Sequence, residues 1–217
     1  MTGRARKTPA PARRRRSPQA QDDFRHRMLQ HARSLFREGG VDALTIRAVT
    51  EPFGVSQMAF YGYFQSKDEL VRHLWVDLLQ EQFARMLEAG RERTSSLDVL
   101  RAHVTAYIAY WEERPDDYRR FMTMSPRIGE RDPAELAAEP AYLQLLALHR
   151  ERVLACAGDR RWDPETLDRL STLAYTKAIG YLHATIGIGR YPMADRDRMR
   201  EWVIDDIVET VRQGAPS

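Results

Sequence analysis

The segment TIRAVTEPFGVSQMAFYGYFQSKDEL, Thr45 to Leu70, carries three helix starts in one short span. Thr45 stands at an N-cap position ahead of Ile46 and Val49, where its hydroxyl can accept from an otherwise unpaired first-turn amide. Pro52 falls in the last turn of that helix. It lacks an amide donor and disfavours helical backbone at Glu51, so the helix is expected to stop early. Phe53-Gly54 reads as a turn and Ser56 as the cap of a second helix. Ser66-Lys67-Asp68-Glu69 has the capping-box pattern, in which the serine bonds the Glu69 amide and the glutamate reaches back. It opens a third, long helix towards Gly90.

Upstream, Phe24, Met28, Ala32, Leu35 and Phe36 recur at helical spacing, and Gly39-Gly40 supply the flexible backbone that commonly ends a helix. Downstream, helices are expected from Ser96 to Glu113, Pro115 to about Met124, Pro133 to about Cys156, Pro164 to about Ile188, and Ala194 to Arg212. Sustained period-2 alternation is missing, so the fold class is all-α with no sheet. The expected organisation is a basic arm over residues 1–20, a three-helix helix-turn-helix domain over 21–70, and a larger helical domain over 71–217. The boundary between the two domains is placed within the long helix after Ser66 rather than in a loose linker.

The chain has 217 residues, 43% of them hydrophobic, enough to bury a core. Seven cations, Arg4, Arg6, Lys7 and Arg13 to Arg16, precede the first acidic residue, Asp22, so the net charge of +3 leaves −4 on the remainder. The positive excess therefore sits in an N-terminal arm on a mildly acidic body. That arm, rich in proline and arginine with little to bury, should be mobile in isolation. A single cysteine, Cys156, excludes an intrachain disulfide. The arm lacks the apolar core of a secretory signal, and no apolar run reaches membrane-spanning length, so a soluble cytoplasmic protein without membrane association is expected.

Two short helices joined by a glycine turn, the second opening at a serine cap, form the geometry that lays a recognition helix across a DNA major groove. Gln57, one residue past the cap, can pair with adenine N6 and N7, and Arg47 can reach guanine O6 and N7. The third start, at Ser66, delivers Lys67 and backbone amides to phosphates. Tyr61 and Tyr63 offer hydroxyls on amphipathic rings, while Phe60 and Phe64 look like core anchors. Met58 has two readings, contact with a thymine methyl or packing.

In these residues the chain resembles the TetR (tetracycline-repressor-like) regulators. A helix ending in LFREGG, then T.R.V...FGVS, then FYGYFQSKDEL stand in the family order and spacing over about Phe24 to Leu74. The resemblance implies that Thr45 and Tyr61 touch phosphates, that Arg47 and Gln57 approach base edges, and that Lys67 contacts the DNA backbone. The expected DNA-binding set is Thr45, Arg47, Ser56, Gln57, Met58, Tyr61, Tyr63 and Lys67. Three places depart from the usual pattern: Pro52, Phe53 where a small alanine usually packs against the recognition helix, and Met58-Ala59 where glycine and threonine are usual.

For the later helices the family implies a ligand cavity and a dimer interface. Leu170, Leu173, Ala174, Ala178, Tyr181 and Leu182 form one apolar stripe, and Val203, Ile204, Ile207, Val208 and Val211 another. Two such faces suit a four-helix seam between two copies, although each is also what an intrachain core would look like. A cavity should draw on Tyr107, Trp111, Tyr118, Phe121, Met122, Tyr142, Leu146, His149 and Tyr175, aromatic walls with a few polar tips.

The six histidines show no HExxH-like ligand spacing and the chain has no glycine-rich phosphate loop, so neither an enzyme nor a metal or organic cofactor is expected. Cys156 reads as a filler residue. The expected partners are a double-stranded DNA operator, a small-molecule effector and a second copy of the chain. The leading reading is a dimeric, ligand-responsive repressor. The alternative is a helical small-molecule binding protein whose head no longer reads DNA, and a third reading is a non-specific basic DNA coater, which the acidic body argues against.

Overall fold

The computed structural model describes residues 17–124, 140–189 and 192–214, and among these it holds nine α-helices and no strand. They are α1 (Pro18–Ala43), α2 (Ile46–Thr50), α3 (Gln57–Phe60), α4 (Lys67–Ala89), α5 (Ser96–Glu112), α6 (Pro115–Met124), α7 (Pro140–Ala155), α8 (Pro164–Leu182) and α9 (Arg196–Gln213). Most of the basic arm, residues 1–16, and the expected start of the seventh helix at Pro133 lie outside the described residues. α1 begins at Pro18, inside the stretch assigned to the arm.

Each cap expected in the opening segment is formed. Thr45 Oγ1 accepts from the Ala48 amide at 3.1 Å, Ser56 Oγ from the Ala59 amide at 3.3 Å, and Ser66 Oγ from the Glu69 amide at 3.1 Å. The Glu69 carboxylate reaches back one residue further than the capping box requires, to the amide of Gln65. α2 ends at Thr50, and Glu51–Phe53 continue as a single 3-10 turn, as a proline at position 52 demands. The glycine signal near residue 40 marks a break: Gly40, at φ 69 and ψ −158, interrupts α1 and leaves a short last turn before Thr45. At the other end of the chain the expected helix to Ile188 is α-helical only to Leu182. His183–Ile188 widen into a π-helical turn, a distinction that hydrophobic spacing does not carry.

The helices gather around two apolar clusters. The first packs Phe24, Met28, Phe36, Val49, Phe60 and Phe64 with Leu70 and Leu74 of α4. The second packs α5, α7, α8 and α9 around Ile108, Trp111, Leu170 and Ile207, and takes Met86 from the far end of the same α4. Fully burying side chains of this size contributes about 1.5–3 kcal/mol each. One 23-residue helix therefore belongs to both cores. The two are braced further by Arg120 of α6, which donates to the Arg37 carbonyl of α1, and by the Arg33–Asp77 ion pair between α1 and α4.

Candidate nucleic-acid interface and ligand cleft

α3 is only four residues long, and its two sides differ sharply. Phe60 is fully buried, 5.2 Å ring to ring from buried Phe64, while Met58 is 77% exposed and Tyr61 53% exposed beside exposed Gln57. A helix this short has no stability of its own, so the Ser56 cap and the Phe60 anchor hold it in place. Gly54, at φ 61 and ψ 26, makes the sharp turn that brings α3 across α2.

Thr45 and Arg47 are exposed on the neighbouring α2, with the Arg47 guanidinium only loosely drawn to Glu51 at 3.8 Å. An exposed pair of this kind contributes little and leaves the guanidinium available to a stronger partner. Lys67 stands half-exposed at the first turn of α4. Of the eight residues expected to face DNA, Tyr63 differs in setting: it is half-buried with its ring 4.9 Å from that of Phe24. Phe53 also lies away from α3, 5.3 Å edge-on to Phe24 and 5.9 Å from His31 of α1.

One positioning residue was not read from the sequence. Arg25 of α1 donates through Nε to the Tyr63 carbonyl at 3.1 Å and through Nη2 to Glu69 at 3.1 Å, with its guanidinium 4.8 Å over the Phe64 ring. It ties α1 to both ends of the turn between α3 and α4, which sets how Tyr61 and Lys67 are presented together. Burial raises the Glu69 pKa, but the Gln65 amide, Arg25 and His73 outweigh it and hold the carboxyl below its usual range. The only sequence signal was an arginine next to a core phenylalanine, Phe24.

In the second core a narrow cleft, with free space of about 20 Å³, lies between α4, α5, α7 and α8. Its apolar wall is Met86, Val104, Leu145, Leu146, Ala174 and Ala178, and its polar groups are His103, His149, Tyr107 and Tyr175. Four of the expected cavity residues, Tyr107, Leu146, His149 and Tyr175, are therefore in the wall. Tyr142 is half-buried and interacts with the Tyr175 hydroxyl. Trp111, Tyr118, Phe121 and Met122 are not in the lining. Phe121 stacks on Trp75 at 4.5 Å and lies 5.1 Å from Trp111, which meets Tyr118 at 5.5 Å; Met122 packs against the same core. They form an aromatic block joining α4, α5 and α6, since a ring facing the core looks the same in sequence whether it meets space or another ring.

His103 was not singled out, and its i+4 spacing to Tyr107, like that of Leu145 to His149 and Ala174 to Ala178, is the signal that could have placed them on one wall. His103 Nε2 lies 3.2 Å from His149 Nδ1, and His149 Nε2 lies 3.0 Å from the Ser171 carbonyl. Burial lowers both imidazole pKa values, that of His103 to about 3, with His149 and Arg152 adding to the effect at His103. Cys156 is buried with its thiol against the Ser96 and Arg152 carbonyls, and burial pushes its pKa up to about 11, so it is unreactive at neutral pH. No group of three or more His, Cys, Asp or Glu among the described residues could hold a metal ion. No helix among them is long and apolar enough to cross a membrane.

The sequence model of bacterial regulatory proteins of the tetR family matches residues 28–74. The chain is 30% identical over 76 residues to the HTH-type transcriptional repressor KstR2 of Mycolicibacterium smegmatis, a match covering 35% of this chain and 37% of that repressor. Its fold is similar to a protein of unknown function from Rhodococcus sp. RHA1, with TM-score 0.68, 19% identity, and coverage of 86% of this chain and 94% of that one. It is also similar to the transcriptional regulator FadR from Bacillus subtilis, solved in complex with stearoyl-CoA, with TM-score 0.65, 11% identity, and coverage of 84% and 97%. At such identities these structures speak to the fold alone.

Proposed function

We propose, from the match of residues 28–74 to the tetR family of bacterial regulatory proteins, that the chain is a sequence-specific DNA-binding transcriptional regulator and not an enzyme. We further propose that it acts as a homodimer on a pseudopalindromic operator, as a repressor, and that a small molecule in the cleft releases it. The observation that carries the reading is the two-sidedness of α3: Phe60 is anchored at 0% exposure while Gln57, Met58 and Tyr61 project outward beside Thr45, Arg47 and the first turn of α4. An exposed methionine and tyrosine at a capped helix start fit a partner surface better than a solvated face.

The alternative, a binding protein with a non-reading head, drew on Pro52 and Phe53. Pro52 is absorbed in the 3-10 turn and Phe53 packs against α1, so neither intrudes on the reading face. Release needs a ligand that prefers a conformation whose two heads are wrongly spaced. α4 is the element able to carry that preference, because Met86 lines the cleft and Leu70 and Leu74 sit in the core of the head.

The test is selection of a duplex from a random library, followed by anisotropy titration with salt and random competitor. A selected duplex should outcompete random DNA by about 10³-fold or more. Tyr61→Ala and Lys67→Ala should weaken it with the helical spectrum unchanged, and Lys67→Ala should lower the salt slope by about one. Failure to enrich any sequence, with binding erased by competitor, would leave the non-reading alternative.

A further inference from the structure

We infer that Arg25, Glu69 and His73 form a proton-sensitive latch on the N-terminal head: a proton taken up by His73 displaces Arg25 and releases the turn between α3 and α4, which lowers affinity for DNA. The effect on DNA rests on the reading above; the displacement itself does not.

Arg25 reaches across from α1 and uses its donors at three places. Nε donates to the Tyr63 carbonyl at 3.1 Å, and the two protons of Nη2 serve Glu69 Oε1 at 3.1 Å and His73 Nε2 at 2.6 Å. A guanidinium has donors only, so the imidazole nitrogen in front of it presents a lone pair. In this arrangement His73 is therefore neutral, with its proton on Nδ1. The Phe64 ring, edge-on at 6.3 Å, borders the imidazole on another side.

A proton added at Nε2 removes that acceptor and sets an imidazolium against a guanidinium at hydrogen-bond distance. Arg25 cannot shed its own charge. The other groups facing His73 decide which way the cluster moves. On α1 they are Arg25 and, two turns further on, Arg33; on α4 they are Glu69, Arg72 and Asp77; the turn contributes Gln65. Asp77 is already paired with Arg33, which leaves Glu69, 3.6 Å from His73 Nε2, as the carboxylate for the imidazolium. Burial raises the Glu69 pKa, but the Gln65 amide, Arg25 and His73 outweigh it, so Glu69 stays ionised over the range in which imidazoles titrate. Glu69 and His73 lie one turn apart on the same helix, a spacing that suits an ion pair, and Arg25 is the member on a different element. The hollow around the cluster is open, with free space of about 470 Å³, so the displaced guanidinium has water to enter.

Displacement takes Arg25 Nε from the Tyr63 carbonyl, and α1 no longer holds the turn that spaces Tyr61 from Lys67. If bound DNA needs the latch closed, binding opposes protonation, and affinity falls with pH by at most about tenfold per unit for one proton. The sign is diagnostic, since charging a histidine ordinarily strengthens binding to a polyanion. His31 of the same head donates from Nε2 to the Ala48 carbonyl, a bond that protonation leaves intact, and His26 is exposed.

The test uses the full chain and a selected duplex, with anisotropy read from pH 7.5 to 5.5 at fixed ionic strength and helicity followed alongside. Affinity of the natural protein should fall by about tenfold over that range. In His73→Gln, whose amide oxygen keeps an acceptor for Arg25 and does not titrate, it should stay level or rise. Because that variant can perturb the head, nitrogen-resolved spectra of the free natural protein give a second reading. At pH 7.5 the His73 proton should sit on Nδ1 and the Arg25 Nε–H should be protected from exchange; that protection should be lost with the midpoint of the His73 titration. Level or rising affinity in the natural protein, an equal fall in His73→Gln, a proton on Nε2 at pH 7.5, or an Arg25 Nε–H still protected beside a charged His73 would each overturn the inference. Failure to select any duplex would defeat the DNA reading while the spectra still decide the latch. A specific duplex held equally at both pH values would defeat the latch and leave that reading standing.

Discussion

Gly54 sits at φ 61 between the 3-10 turn and Ser56, and a Cβ built there would meet nothing within 4 Å. Its requirement is therefore conformational and not steric, which separates it from Gly39, where a Cβ would fall 2.7 Å from that of Ala43. Gly54→Ala should cost about 1–2 kcal/mol, the price of the left-handed region for an L residue, and Gly54→Asn less. Equilibrium denaturation of the three proteins checks the order; equal midpoints would mean that the turn relaxes. At this scale the caps were readable because cap chemistry is local: Thr45, Ser56 and Ser66 each bond an amide three residues away. Arg25 was not, since its partners Tyr63 and Glu69 are 38 and 44 residues distant.

Among the elements, α5 and α7 are joined through the imidazole pair, and the pair makes their packing depend on pH. The folded-state pKa of His103 is depressed to about 3 from 6.5, and that of His149 is also lowered. The unfolded chain binds protons below about pH 6.5 that the folded chain refuses, so stability present above 6.5 is lost as pH falls towards 3. Between pH 7 and pH 5 His103 alone should lower the unfolding free energy by about 2 kcal/mol, measurable as a fall in the denaturant midpoint. A midpoint indifferent to pH over that range would mean that the pair is hydrated. The bounds of α5 and α6 were legible from the polar break that ends at Pro115, whereas the π-helical turn after α8 was not. It is accompanied by the Arg119 donation to the Ile186 carbonyl, a contact made across 67 residues.

At the scale of the whole molecule, the apolar stripes expected to form a seam between copies are largely spent within one chain. Leu170, Ala174, Ala178, Tyr181, Leu182, Ile204, Ile207, Val208 and Val211 are all buried in it. What remains outward on α8 is Leu173, 37% exposed, on the face shared by Arg169, Thr176 and Gly180, with open space over Gly180. If the proposed dimer uses this face, Leu173→Arg should give a monomer by sedimentation velocity, with unchanged helicity and DNA affinity reduced by more than about tenfold. A dimer that survives the charge would move the seam to another surface, such as that around Trp202 of α9, which is 52% exposed.

The sequence by itself determined the all-helical class, the caps and turn of the N-terminal head, and the match to the tetR family over residues 28–74, because each depends on interactions within a few residues along the chain. Tertiary structure alone decided which aromatic rings pack and which line a cleft, which stripe is core and which remains outward, and that His103 Nδ1 is buried without a hydrogen-bond partner. Those outcomes depend on which helix faces which, and periodicity gives a helix an apolar side without naming what will cover it.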